Sequence, residues 1–190
     1  MTTREKLLQV TFDEIYYNSY GATSIDKILK KAGMNKGSVY HLFKSKHELI
    51  LAVINENLME YIEKKYTPLL DVEKNIIDSM MELIKQRDNF DFIHGCKLNN
   101  FVQELSSKDK EYQKALERVY LRFEKIIALV LHKAVERKEI KENINIKDIA
   151  IFIVASIEGC LGTAKKSQDP KIFSDCINQL EIFLKNFRLD

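Results

Sequence analysis

Apolar residues recur along this chain at three- and four-residue steps, the period of a helix with one face turned inward, and rarely alternate as a strand would. Leu8, Thr11, Phe12 and Ile15 mark one face of a first helix from Thr3 to about Tyr17. Asn18-Ser19-Tyr20-Gly21 closes it, with Asn18 or Gly21 expected to take the left-handed turn. Thr23-Ser24-Ile25-Asp26 offers a hydroxyl cap with a carboxylate close behind, so a second helix runs through Ile28 and Leu29 to Ala32. Gly33-Met34-Asn35 interrupts for only three residues, and Asn35 can cap a short helix from Lys36 to Leu42 or Phe43. Two short helices joined through a glycine are the signature of a helix-turn-helix.

Ser45-Lys46-His47-Glu48 is a capping box, and the helix it opens meets no breaker before Thr67-Pro68, a rod of about six turns. Further periodic stretches run from Asp71 to about Lys85, from Ile93 or Cys96 to Leu105, and from Ser106 to about Lys138. Asn145 caps a helix that is apolar almost all round from Ile149 to Leu161, which predicts burial. Asp169-Pro170 places a cap before a proline at the first helical position and starts a last helix through Phe187. The pattern predicts an all-α chain of about nine helices with a small helix-turn-helix at its N-terminus.

Composition narrows the class. A hydrophobic share of 45% and a charged share of 31% in 190 residues describe a globular protein and exclude a disordered one. The net charge of +2 hides an asymmetry: residues 1–50 hold eight Lys/Arg against five Asp/Glu. Between Gly33 and His47 there are three lysines, two histidines and no acid, a stretch able to face a phosphate backbone.

Cys96, Cys160 and Cys176 are odd in number, widely spaced and without a CxxC, so neither a disulfide framework nor a structural zinc is expected; no metal and no cofactor is predicted. No apolar run approaches the roughly 18 residues of a bilayer span, which predicts a cytoplasmic chain with no membrane partner. No Glu has a His three residues on, and there is no P-loop, GxGxxG or GxSxG, so no enzyme is predicted.

Lys36-Gly37-Ser38-Val39-Tyr40-His41-Leu42-Phe43, followed by Ser45-Lys46-His47-Glu48-Leu49, closely resembles the DNA-binding domain of the TetR/AcrR regulators, a likeness covering about residues 4–50. It implies a helix-turn-helix domain over residues 1–48 and a helical ligand-binding and dimerisation domain over 49–190. Thr23, Ser24, Tyr40 and Lys46 would then grip the DNA backbone, with Lys36, Gly37, Ser38 and His41 nearest the bases. The physics agrees. Gly37 and Ser38 are small enough for a close approach to the groove, Lys36, Tyr40 and His41 can reach phosphates or base edges, and Val39 can press on a thymine methyl. The implied partners are double-stranded operator DNA, an unidentified small-molecule effector and a second copy of the chain. The implied role is a repressor released by the effector. A helical protein-interaction module without DNA binding is the alternative.

In the body, Met59, Met80 and Met81 supply adaptable apolar surface, Tyr66, Tyr120 and Phe123 aromatic walls. His94-Gly95-Cys96-Lys97-Leu98-Asn99-Asn100 is similar to a Gly-Cys element in the subgroup of the family that includes the N-ethylmaleimide reductase repressor. That likeness adds Cys96 and Asn100 to the candidate ligand set, and implies a Cys96 reactive toward electrophiles and oxidants with Lys165 as its partner. A nearby ammonium and a helix N-terminus both favour thiolate. Ile149, Ile153, Ile157 and Leu161, with Ile172, Ile177, Leu180, Phe183 and Leu184, predict dimerisation through the last two helices.

Overall fold

The computed structural model describes residues 1–189, except for the side chain of Ser38. The chain divides into two compact units, one of Met1–Ile62 with Lys97–Tyr120, the other of Glu63–Cys96 with the chain from Leu121 onward.

The first unit begins with α1 (Thr3–Asn18), fixed at its start by a capping box. Thr2 accepts from the Glu5 amide at 3.2 Å, and the Glu5 carboxylate accepts from the Thr2 amide at 2.8 Å. The turn after α1 corrects the sequence expectation: neither Asn18 nor Gly21 supplies it. Ser19 itself takes φ +72° with ψ 156°, an extended positive-φ state almost confined to glycine that costs another residue about 1–3 kcal/mol. Helices α2 (Ile25–Ala32) and α3 (Lys36–Leu42) follow, and Gly33 at φ +65° ends α2 in the left-handed conformation. Leu7, Phe12, Ile28, Val39, Phe43, Leu49 and Ile50 form the core here. Burial of each such side chain is worth about 1.5–3 kcal/mol. Helix α1 packs on α2 and on α4 (Lys46–Val53), and also on α7 (Lys97–Leu105), whose Phe101 ring lies 5.4 Å from that of Phe12.

The predicted rod from Lys46 is continuous but not uniform. Helix α4 passes through a π-helical turn, Ile54–Leu58, into α5 (Met59–Tyr66). The polar residues of that turn are all engaged. Glu56 accepts from both Arg4 guanidinium nitrogens at 2.5 Å, Asn55 accepts from Arg118 at 2.9 Å, and Asn57 donates to Gln9 at 3.4 Å. Those bonds hold an extra residue in the helix that periodicity alone does not reveal.

In the second unit a 3-10 turn (Thr67–Asp71) leads to α6 (Ile76–Lys85). Helix α8 (Lys110–Glu136) contributes to both units, and α9 (Ile146–Ser167) and α10 (Pro170–Lys185) complete the second. The helix expected from Ser106 starts later because Asp109 caps it, accepting from the amides of Glu111 and Tyr112 at 2.8 and 3.1 Å. Helices α9 and α10 lie against each other, and Cys160 and Cys176 join them by a disulfide with a Cα–Cα separation of 5.7 Å. This corrects the expectation of unpaired cysteines: residues 16 apart fall side by side once two helices fold back on one another. Taking α4 to α5 as one rod, there are nine helices and no strand among the described residues. None of those helices is long and apolar enough to cross a membrane.

Candidate nucleic-acid interface and effector core

The short helix α3 has a buried side and an open side. Val39 is 2% exposed and Phe43 4%, so both point into the core of the first unit. Val39 therefore does not present itself to a base, contrary to the sequence expectation. It fixes the roll of the helix instead. That roll leaves Lys36, Gly37, Tyr40 and His41 exposed, Tyr40 at 53%. The Ser38 side chain lies outside the described residues. Around Gly37 there is room: an added Cβ would meet nothing nearer than the Asn35 Oδ1 at 3.4 Å. Lys36 already has a partner, Asp26, at 2.9 Å, and this hydrogen bond raises the lysine above its ordinary range.

Two of the expected backbone-gripping residues are occupied elsewhere. The Thr23 hydroxyl is buried and donates to the Ser19 carbonyl at 2.6 Å. The Lys46 ammonium donates to the carbonyls of Tyr20 and Thr23 at 3.0 and 2.5 Å and stands 3.9 Å above the Tyr20 ring. Burial pulls its pKa down. Lys46 thus staples the α1–α2 turn to the start of α4, a role that a surface lysine in a motif does not advertise. Ser24 caps α2 by accepting from the Lys27 amide at 3.2 Å.

The expected effector residues fall into both units. Met59, Asn100 and Tyr120 belong to the first, all half-buried. Tyr66, Met80, Met81, Cys96 and Phe123 belong to the second, all buried, and Tyr66 stacks on Phe123 at 4.2 Å. Lys165 also lies in the second unit and is brought to the Gly-Cys element. Its aliphatic chain lies over Gly95, where an added Cβ would stand 2.7 Å from the Lys165 Cδ.

Sequence reasoning missed the polar group next to Cys96. The thiol, 5% exposed, donates to Glu158 on α9 at 3.3 Å, and Glu158 is itself 6% exposed. Lys65 is pushed down to about 8, first by burial and then by Arg87, against the opposing pull of Cys96 and Glu158. Arg87 donates to the carbonyls of Leu83 and Gln86 at 3.2 and 2.8 Å and lies 5.0 Å from the Phe173 ring centroid. Lys65 and Arg87 share a cleft of about 280 Å³ with Leu83, Gln86, Asp88, Asn89 and Phe90. The one signal in the sequence was Glu158 itself, a carboxylate on the most apolar helix.

The outward faces of α9 and α10 also differ from expectation. Ile153, Ile157, Leu161, Ile177, Leu180 and Leu184 are buried within the chain. The exposed apolar residues are Ile151, Phe152 and Ile182, at 40%, 47% and 55%. Ala155, Gly159 and Gly162 continue the same face of α9 as small, exposed positions.

A helix-turn-helix with an open reading face, followed by an all-helical body, defines a DNA-binding transcriptional regulator. The chain belongs to the TetR family: residues 7–53 match the family model for bacterial regulatory proteins of the tetR family, and residues 74–180 that for the tetracyclin repressor-like C-terminal domain. It is 30% identical over 183 residues to an HTH-type transcriptional regulator of the lacX 3' region of Lactococcus lactis subsp. lactis, spanning 94% of this chain and 91% of that one. With the HTH-type transcriptional regulator LmrA of Bacillus subtilis it shares 27% over 186 residues, 94% and 96% of the two chains. In fold it is similar to the reduced form of E. coli NemR, with a TM-score of 0.86 at 22% identity over 99% and 98% of the chains. A TetR transcriptional regulator of Chloroflexus aurantiacus gives a TM-score of 0.84 at 21% identity, covering 99% and 97%.

Proposed function

We propose that this TetR-family regulator represses in the cytoplasm as a homodimer, each copy reading operator DNA with the exposed front of α3, and that a small molecule bound in the helical body releases it. The observation that carries this reading is the roll of α3, whose Val39 is buried, with Phe43 buried just beyond its end, and whose Lys36, Gly37, Tyr40 and His41 are open. A helix held by its back presents its front turn to a groove without reorganisation, and Gly37 lets the backbone come close. Ser24 adds a cap hydroxyl at the α2 N-terminus. On this reading the DNA-binding domain occupies about residues 1–48 and the rest binds effector and partner.

The dimer face is assigned to Ile151 and Phe152 with the small positions Ala155, Gly159 and Gly162 on α9, and to Ile182 on α10. Exposed apolar side chains beside small residues suit close packing of helices across a twofold axis. The effector site is assigned to the second unit around Cys96, and its chemistry to electrophiles. The thiol proton already faces the Glu158 carboxylate, which receives it as the sulfur adds to the electrophile. Lys165, packed on Gly95, and Lys65 supply positive charge that favours thiolate.

Gel shift with the promoter of the chain's own gene tests the DNA reading. Gly37→Leu and Tyr40→Ala each should cost at least about tenfold in operator affinity, or about 1.4 kcal/mol. Unchanged affinity in both folded variants would remove it. The electrophile reading is tested separately: Cys96→Ser should abolish release of DNA by N-ethylmaleimide, and release persisting at wild-type level in that variant retires it.

A further inference from the structure

His47, Asp109 and Glu111 meet in the first unit from two chain segments some sixty residues apart. The His47 Nε2 stands 3.2 Å from the Asp109 Oδ1 and 3.5 Å from the Glu111 Oε2, and the three candidate ligand atoms all lie within 4.8 Å of one another. Zinc bonds of about 2.0–2.2 Å to imidazole nitrogen and carboxylate oxygen set neighbouring ligand atoms of a tetrahedron about 3.3–3.6 Å apart. The His47–Glu111 edge has that length, and the His47–Asp109 edge, at 3.2 Å, falls just short of it.

The group is held in place by contacts outside it. The His47 ring stacks on Tyr112 at 4.7 Å with 28° between planes, and Tyr112 is 2% exposed, so the imidazole has a buried platform. Asp109 is aimed by the two amides it accepts at the start of α8, from Glu111 and Tyr112. Supports of this kind orient metal ligands. The side chains of His47, Asp109 and Glu111 are 39%, 38% and 69% exposed, which leaves a path for an ion and a position for water as the fourth ligand. Neutral imidazole and two carboxylates carry a charge that balances a divalent cation, and nitrogen with oxygen donors suits zinc, cobalt or nickel over calcium.

We propose that His47, Asp109 and Glu111 bind one divalent transition-metal ion of the zinc class, which ties the first turn of α4 to the first turn of α8. The expectation of no metal arose because only short-range ligand spacing is visible in a sequence. When bound, the ion takes the Nε2 lone pair of the Nδ1–H tautomer of His47 in place of the present contact to Asp109. The proposal does not depend on the effector reading.

The test titrates the untagged full-length chain with Co²⁺ and then displaces it with Zn²⁺. One Co²⁺ per chain should bind with visible d–d absorption and without the charge-transfer band of a thiolate ligand. His47→Gln and Glu111→Gln should each weaken binding at least tenfold while the helical circular dichroism stays unchanged. Two variants are used because Glu111, whose side chain is largely exposed, can be changed with little demand on the fold. Absence of saturable binding, wild-type affinity in both variants, or a thiolate band lost in Cys96→Ser would each overturn the assignment.

Discussion

Replacing Gly95 by alanine probes the junction between the Gly-Cys element and α9. Two costs add. Gly95 has φ +79°, where an L-residue is disfavoured by about 1–2 kcal/mol. The new Cβ would also stand 2.7 Å from the Lys165 Cδ, 3.3 Å from its Cγ and 3.4 Å from its Cβ. The lysine must leave its rotamer to make room, at about 0.5–1.5 kcal/mol. Together Gly95→Ala should destabilise by about 1.5–3.5 kcal/mol, which for a chain of this size lowers the Tm by about 3–14 °C.

Urea unfolding and thermal melts of four proteins separate the two parts: wild type, Gly95→Ala, Lys165→Ala and the double variant. Truncating Lys165 removes the steric share and leaves the backbone share. The double variant should therefore be about 1 kcal/mol more stable than the sum of the single effects. A Gly95→Ala protein melting with the wild type would refute the argument, and a coupling of zero would show that Lys165 does not rest on Gly95.

Two further outcomes follow from groups held in costly states. Lys65 has a folded pKa of about 8 against about 10.5 unfolded, so between those values the unfolded chain binds more protons and stability rises with pH. Lys65→Met should flatten that rise in urea unfolding measured from about pH 7 to about pH 10, and identical slopes in the two proteins would dismiss the burial argument. Ser19→Gly should stabilise the first unit by about 1 kcal/mol, since glycine takes φ +72° without penalty. A variant no more stable than wild type in the same assay would show that the turn is not strained.

The helices were legible because their determinants are local. Caps at Ser24, Ser45, Asn145 and Asp169, the glycine at position 33 and the apolar period all act within a few residues, and the observed elements start and stop near them. The motif also exposed the class of protein. What stayed hidden depends on residues far apart in the chain. Val39 could be placed on the wrong side of α3 because a seven-residue helix is too short for its period to fix its roll. Lys46 looked like a phosphate ligand until the fold put two carbonyls beside it. The disulfide, the Cys96–Glu158 bond and the π turn each need a partner from another element. Exposed apolar positions on α9 were masked for a different reason. A helix apolar on nearly every side does not say which side its own chain covers.

The Lys36–Asp26 pair changes how the electrostatics of operator binding should be counted. A lysine that meets a phosphate ordinarily frees a condensed counterion, and each such event steepens the fall of affinity with salt by nearly one logarithmic unit per decade. A Lys36 turned to DNA would leave Asp26, which as a lone exposed carboxylate holds no ion of its own and would merely be hydrated. The counterion freed from the duplex would still be released, so the cost of leaving Asp26 would reduce the affinity this lysine adds rather than erase its share of the salt dependence.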